Sequence, residues 1–196
     1  MFFVCENHKY APKQYILKFG GDFVVWARTK LVIQDELLRP RNRFTVEFRG
    51  LKPDKFYHAV PKIFMSVFRV DEHHLQEKKI SWTHGETEKF KITWEGTKEL
   101  DALSYLLFNI ELSGSQSKGK GEANVIIEGY LRTEYPQDTV WEKSILYEMI
   151  RIFWHKNFYI SQRNKYMEEG RMEMSAFVEE IKKLARASDV VDVQQQ

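Results

Sequence analysis

The stretch FYHAVPKIFMSVFRVDEHHLQEKKISW, Phe56 to Trp82, decides how the chain is read, because one apolar periodicity gives way to another inside it. Phe56, Val60, Ile63, Phe64, Val67 and Phe68 recur at three- and four-residue spacing, which lines one face of a helix. From Leu75 the pattern alternates instead, with Ile80 and Trp82 on one side, as in a half-buried strand. Pro53 suits a first helical position, whereas Pro61 removes a donor in mid-run, so a kink or two short helices are expected there. Between the two patterns stand Asp71, Glu72, His73 and His74. Adjacent side chains diverge in a turn or a strand, so the two imidazoles are not expected to share an ion, and the segment reads as a solvated helix-to-strand turn.

Downstream, Phe90, Ile92 and Trp94 share a face beyond the turn His84–Thr87, and 102–112 is apolar on both faces, as in a strand covered on both sides. The run SGSQSKGKGE (113–122) lacks the spacing of a phosphate loop and precedes a strand, so it reads as a mobile hairpin loop. A fourth strand comes next, in which Ala123, Val125, Ile127, Gly129 and Leu131 oppose Glu128, Arg132 and Glu134. Past Pro136, Asp138 or Thr139 can cap a long helix, since their side-chain oxygens accept first-turn amides. That helix carries two apolar stripes: Trp141, Ile145, Met149 and Ile152, and Tyr147, Ile150, Trp154 and Phe158. Gly170 marks an expected break before a cleaner amphipathic helix with Met174, Phe177, Val178, Ile181 and Leu184, and the tail after Ala187 is expected to fray.

Upstream, RFTVEF (43–48) alternates Phe44, Val46 and Phe48 against Thr45 and Glu47. Before it, QYILKF and DFVVWARTKLVI flank Gly20-Gly21, a dipeptide that supplies the positive φ of a hairpin turn. Residues 36–43, with Pro40 and arginines at 39, 41 and 43, read as a loop and a boundary.

The chain of 196 residues is long enough for a core that needs no staples, and the lone Cys5 excludes an intrachain disulfide. MFFVCE lacks the basic and apolar regions of a secretory signal and no window reaches the length of a membrane span, so a cytoplasmic protein without a transmembrane segment is expected. A net charge of only +2 argues against a dedicated nucleic-acid binder, although Arg39, Arg41, Arg43, Lys118, Lys120, Arg151, Lys156, Arg163 and Lys165 would make basic patches if they converged. No nucleophile elbow, HExxH helix or phosphate loop is present, and no residue is nominated as catalytic or as a metal ligand; Cys5 and His8 have metal-like spacing but no partner pair. An enzyme is therefore not the expected reading, and no cofactor is expected. The aromatic share of 14% points to a large core or to a ring-lined cavity.

The order strand (44–49), helical segment (53–70), antiparallel meander (75–135) and long helix (138 onward) resembles the START-like, or SRPBCC, helix-grip fold. The resemblance implies an α+β fold whose curved antiparallel β-sheet wraps around a long C-terminal helix, here with an extra N-terminal β-hairpin. It divides the chain into an extension (1–43), a core domain (44–169) and a C-terminal helical extension with a tail (170–196). It also implies binding of a hydrophobic small molecule, lipid-like or polyketide-like, in a cavity between sheet and helix. Local alternation assigns Trp82, Trp94, Tyr105, Trp141, Ile145, Met149 and Ile152 to that cavity. The two terminal departures from the family pattern are expected to serve homodimer formation or partner docking. The alternative is a non-enzymatic interaction module that docks a protein, or as a minor case nucleic acid, through its basic and aromatic helix and terminal extensions.

Overall fold

The structure is a computed structural model that describes residues 15–19, 22–26, 29–38, 42–137, 139, 141–142 and 144–193. In chain order it contains β1 (Tyr15–Phe19), β2 (Asp22–Trp26), β3 (Thr29–Glu36), β4 (Phe44–Leu51), α1 (Lys55–Phe68), a 3-10 turn (Glu72–His74), β5 (Leu75–Thr83) and β6 (Glu88–Glu99). Then come β7 (Ser104–Ser117), β8 (Lys120–Gln137), α2 (Ile145–Trp154), a π-helical segment (His155–Tyr159) and α3 (Ile160–Val193). The fold is α+β: an open six-stranded antiparallel sheet with a long C-terminal helix.

The sheet runs β3-β8-β7-β6-β5, and β4 also pairs with β8. β8 is long enough to hold β4 along Lys120–Ile127 and β3 along Tyr130–Gln137, so these two strands lie end to end on one edge. Leu37 bridges them, its N–H donating to Gly129 O at 3.0 Å and its side chain fully buried. The main sheet therefore starts at Thr29, not at residue 44; β1 and β2 form the separate hairpin, with Phe19 opposite Asp22. The long run 22–33 conceals this division because β-branched residues that favour strands stand in both, Val24 and Val25 in β2 and Thr29, Val32 and Ile33 in β3. Gly20-Gly21, Arg39, Pro40, Arg41, Asp138, Cys5 and His8 lie outside the described residues.

One face of the sheet carries the core. Val46, Phe48, Phe90, Ile92, Trp94, Leu106, Phe108, Ile110, Leu112, Val125, Ile127 and Leu131 are buried against Phe56, Val60, Phe64 and Phe68 of α1 and Met174, Phe177, Val178 and Ile181 of α3. The helices seat in valleys. Gly96 and Gly129 flank Phe108 in register, and a Cβ on Gly96 would lie 2.2 Å from the Phe64 ring, while one on Gly129 would lie 2.8 Å from Met174 Sδ. Four rings close the space between them: Phe68 stands 4.2 Å from Phe108, Phe64 5.7 Å from Phe108, and both are within 6 Å of Phe177.

Several local expectations need correction. α1 passes through Pro61 unbroken, held on either side by the fully buried Val60 and Phe64. The loop expected at 113–122 is a two-residue turn, with Lys118 at φ 52° and Gly119 at φ 77°; positive φ at both positions matches the right-handed twist of the flanking strands. α3 passes through Gly170, whose missing side chain admits Leu37 and Leu106 where a Cβ would come within 3.0 Å of each. Beyond it, Met174, Phe177, Val178, Ile181 and Ala185 belong to the hydrophobic core. The imidazoles of His73 and His74 do not diverge, since the 3-10 turn leaves their centroids 4.1 Å apart. Among the described residues, no three His, Cys, Asp or Glu side chains converge on a metal position, and no helix is long and apolar enough to cross a membrane.

Candidate interaction surface

The C-terminal helix meets the sheet in two ways. α3 lays apolar residues on the apolar face, but α2 lies beyond that core, where its polar side is seated against the end of β8. Ser144 caps it, accepting from Tyr147 N–H at 3.2 Å. Thr139 heads an isolated turn instead, in which Glu142 N–H donates to Thr139 Oγ1 and Thr139 N–H to the Glu142 carboxylate, so Trp141 precedes the helix.

The seat is built from hydrogen bonds. Gln137 Nε2 donates to Glu148 at 2.9 Å, Glu148 pairs with Arg151, and the Arg151 guanidinium stands 5.2 Å over the Tyr135 ring. Tyr135 Oη lies 2.7 Å from His155 Nδ1. Burial, reinforced by the positive charges of Arg163 and Arg151, lowers the His155 pKa, which suits a neutral ring accepting the tyrosine proton.

One turn on, a second network fixes the start of α3. Arg163 Nε donates to Thr133 Oγ1 at 3.0 Å, Thr133 lies 2.7 Å from Ser104 Oγ, Ser104 lies 2.6 Å from Tyr159 Oη, and Tyr159 donates to Asp101 at 2.8 Å. Because the guanidinium can only donate and the carboxylate accepts, each hydroxyl passes its one proton toward Asp101. Burial pushes the Tyr159 phenol well above its ordinary range. It pulls Asp101 upward too, but donors from Leu103 N–H, Tyr159 and Ser104 N–H outweigh burial and hold the carboxyl below its usual value. Arg163 also binds Asp35 and the carbonyls of Ile33 and Leu131. Every arm of this arginine is used inside the fold, so neither it nor the buried Arg151 is offered to a phosphate backbone.

The π segment lies between the two networks. Ile160 N–H reaches back to His155 O, and Asn157 Nδ2 donates to Phe153 O at 2.7 Å, supplying a donor to a carbonyl of the turn just before the wide one. A π turn holds about one residue more than an α turn, so the helix beyond it is rotated by roughly 100°. Met149 and Met174 are separated by almost seven turns of about 3.6 residues and would share a face on an unbroken helix. Instead Met149 is 64% exposed and Met174 is fully buried.

α2 is thus amphipathic the wrong way round for an isolated chain in water. Tyr147, Glu148, Arg151 and His155 face the protein, while Ile145, Leu146, Met149, Ile150, Ile152 and Phe153 face outward, with Ile145 81% exposed. Trp141, Trp154, Phe158 and Ile160 extend the exposed apolar surface at either end. With each side chain leaving on the order of 100 Å² uncovered, the surface approaches 1,000 Å², beyond the roughly 300–600 Å² patch of an ordinary monomer.

The residues assigned to a cavity are not brought together. Trp94 is buried under α1, 5.9 Å from Tyr57, and Trp82 lies beside them, 5.2 Å from Phe90. Tyr105 alternates onto the opposite face of β7, where its hydroxyl donates to Glu134. Trp141, Ile145, Met149 and Ile152 lie outside on or beside α2. A groove of about 450 Å³ occupies the sheet's other, polar face, lined by side chains including Glu47, Arg49, Lys89, Ser113, Ser115 and Asn124. Sequence reasoning missed the polar seat: Asp101, Ser104, Thr133, Tyr159 and Arg163 are scattered singly along the chain and carry no common spacing.

No protein family and no curated protein matches the chain. Among solved structures, a chain titled delta-endotoxin is similar at a TM-score of 0.29 and 6% identity, over 56% of this chain and 63% of that one. This chain therefore spans less than two thirds of that chain's length, and a likeness at that level carries no argument.

Proposed function

We propose that the chain is a non-enzymatic interaction module that docks a protein through the outward face of α2. The observation that carries this reading is the inverted helix: its polar side is spent on Gln137, Tyr135 and β8, while its apolar side meets solvent. Leaving that much apolar surface in water is costly at about 25 cal/mol per Å², and covering it by a partner recovers the difference. The strand–helix–meander–helix order, with the strands before α1 paired to the last strand of the meander, supports reading the scaffold as START-like. A small-molecule cavity of that family would need room where Phe64, Phe68, Phe108 and Phe177 stand in ring contact. The filled interior favours the docking reading over ligand carriage.

A photoreactive benzoylphenylalanine placed at Phe153, with Lys91 on the polar face of the sheet as a control, tests this reading. A protein adduct from position 153 and none from position 91 is expected. An apolar small molecule retained in native mass spectrometry, with no protein adduct at 153, would return the chain to the ligand-binding class.

A further inference from the structure

Resting on the docking reading, we infer that the partner of α2 is a second copy of this chain, paired antiparallel about Met149. The outward seam of α2 is apolar: Ile145, Met149 and Ile152 succeed one another at spacings of four and three, flanked by Leu146 and Phe153. Such a seam is what two helices need to pack side chains between one another. In a pair related by a two-fold axis, a residue meets the one equally far on the other side of the centre. With Met149 at the axis, Ile145 meets Phe153 and Leu146 meets Ile152. The seam is therefore self-complementary, each apolar side chain meeting an apolar one.

Two further observations select a copy over other occupants. The exposed apolar area is comparable with the roughly 800 Å² that each partner contributes to a standard interface. Among the described residues, the outward face of α2 itself carries no basic side chain, Arg151 being buried against Tyr135, whereas helices that lie on anionic bilayers are rich in Lys and Arg.

Sedimentation equilibrium of the full chain is the first test, with a mass of twice 23.4 kDa expected at micromolar concentration. Met149→Asp should give a monomer with unchanged circular dichroism. Phe153→Asp, at an exposed position on the same face, should weaken the dimer at least tenfold, which keeps the question open to test if Met149→Asp fails to fold. In a Cys5→Ser background, Met149→Cys should form a disulfide dimer, Ile145→Cys should not, and a mixture of Ile145→Cys with Phe153→Cys should. A chain that stays monomeric at high micromolar concentration overturns the inference, as does a dimer indifferent to Met149→Asp or an Ile145→Cys chain that cross-links to itself. A monomer whose residue 153 still captures a different protein, or residues 1–14 of its own chain, refutes the second copy. Capture of a different protein leaves the docking reading standing; capture of neither a copy nor another protein sinks both.

Discussion

Gly96, Phe108 and Gly129 stand side by side across β6, β7 and β8, and the two missing side chains decide how close the helices come. A methyl group on Gly96 would enter the Phe64 ring, which is itself fully buried and packed on Phe68, Phe108 and Phe177. Gly96→Ala is expected to cost about 1–3 kcal/mol, the usual penalty of overpacking a filled core, measured by urea unfolding. Gly85→Ala is the control, since its nearest atom would be 3.8 Å away, and it should change stability by less than about 0.5 kcal/mol. Equal effects at the two sites would mean that Phe64 yields and that the core is looser than its ring contacts imply. Sequence alternation already places Trp94 on one face with Phe90 and Ile92, but the glycines' purpose is invisible until the helix above them is placed.

At the scale of elements, α2 is held by polar groups that titrate, so its attachment depends on pH. The His155 pKa is lowered by burial and by Arg163 and Arg151, while Asp35 opposes them. A histidine whose folded pKa lies below its unfolded value of about 6.5 costs nothing at higher pH, where both states are neutral. As pH falls below about 6.5 the unfolded chain takes up the proton first, and stability declines until the folded pKa is reached. The unfolding midpoint should therefore drop more between pH 7.5 and pH 5 in the wild type than in His155→Gln. Parallel profiles for the two proteins would show that the His155–Tyr135 contact does not control the seat. Element order is legible in the sequence because strands repeat every two residues and helices every 3.6. Which way α2 faces is not legible, because the π segment rotates one half of the helix against the other without breaking either periodicity. Nor is the β2–β3 division, where one apolar run serves a separate hairpin and then the main sheet.

At the scale of the whole molecule, the aromatic richness of the sequence is compatible with a void or with a filled core, and spacing alone does not separate them. The rings of Phe64, Phe68, Phe108 and Phe177 fill the space between sheet and helices, and Tyr105 falls on the far side because its odd position on β7 opposes Phe108 and Ile110. Ile145, Met149 and Ile152 do form a stripe, as their spacing indicates, but in the proposed dimer the stripe's neighbour is another molecule and not the sheet. The chain carries its own internal standard for that burial. Met149 and Met172 are almost equally exposed in the single chain, at 64% and 67%, while Met174 is fully buried. Peroxide oxidation of the purified, concentrated protein, read by peptide mass spectrometry, should modify Met172 and spare both Met149 and Met174, with Met149 becoming reactive on dilution. Met149 oxidised as fast as Met172 at every concentration would contradict the dimer, because the apolar face of α2 would then be open to water.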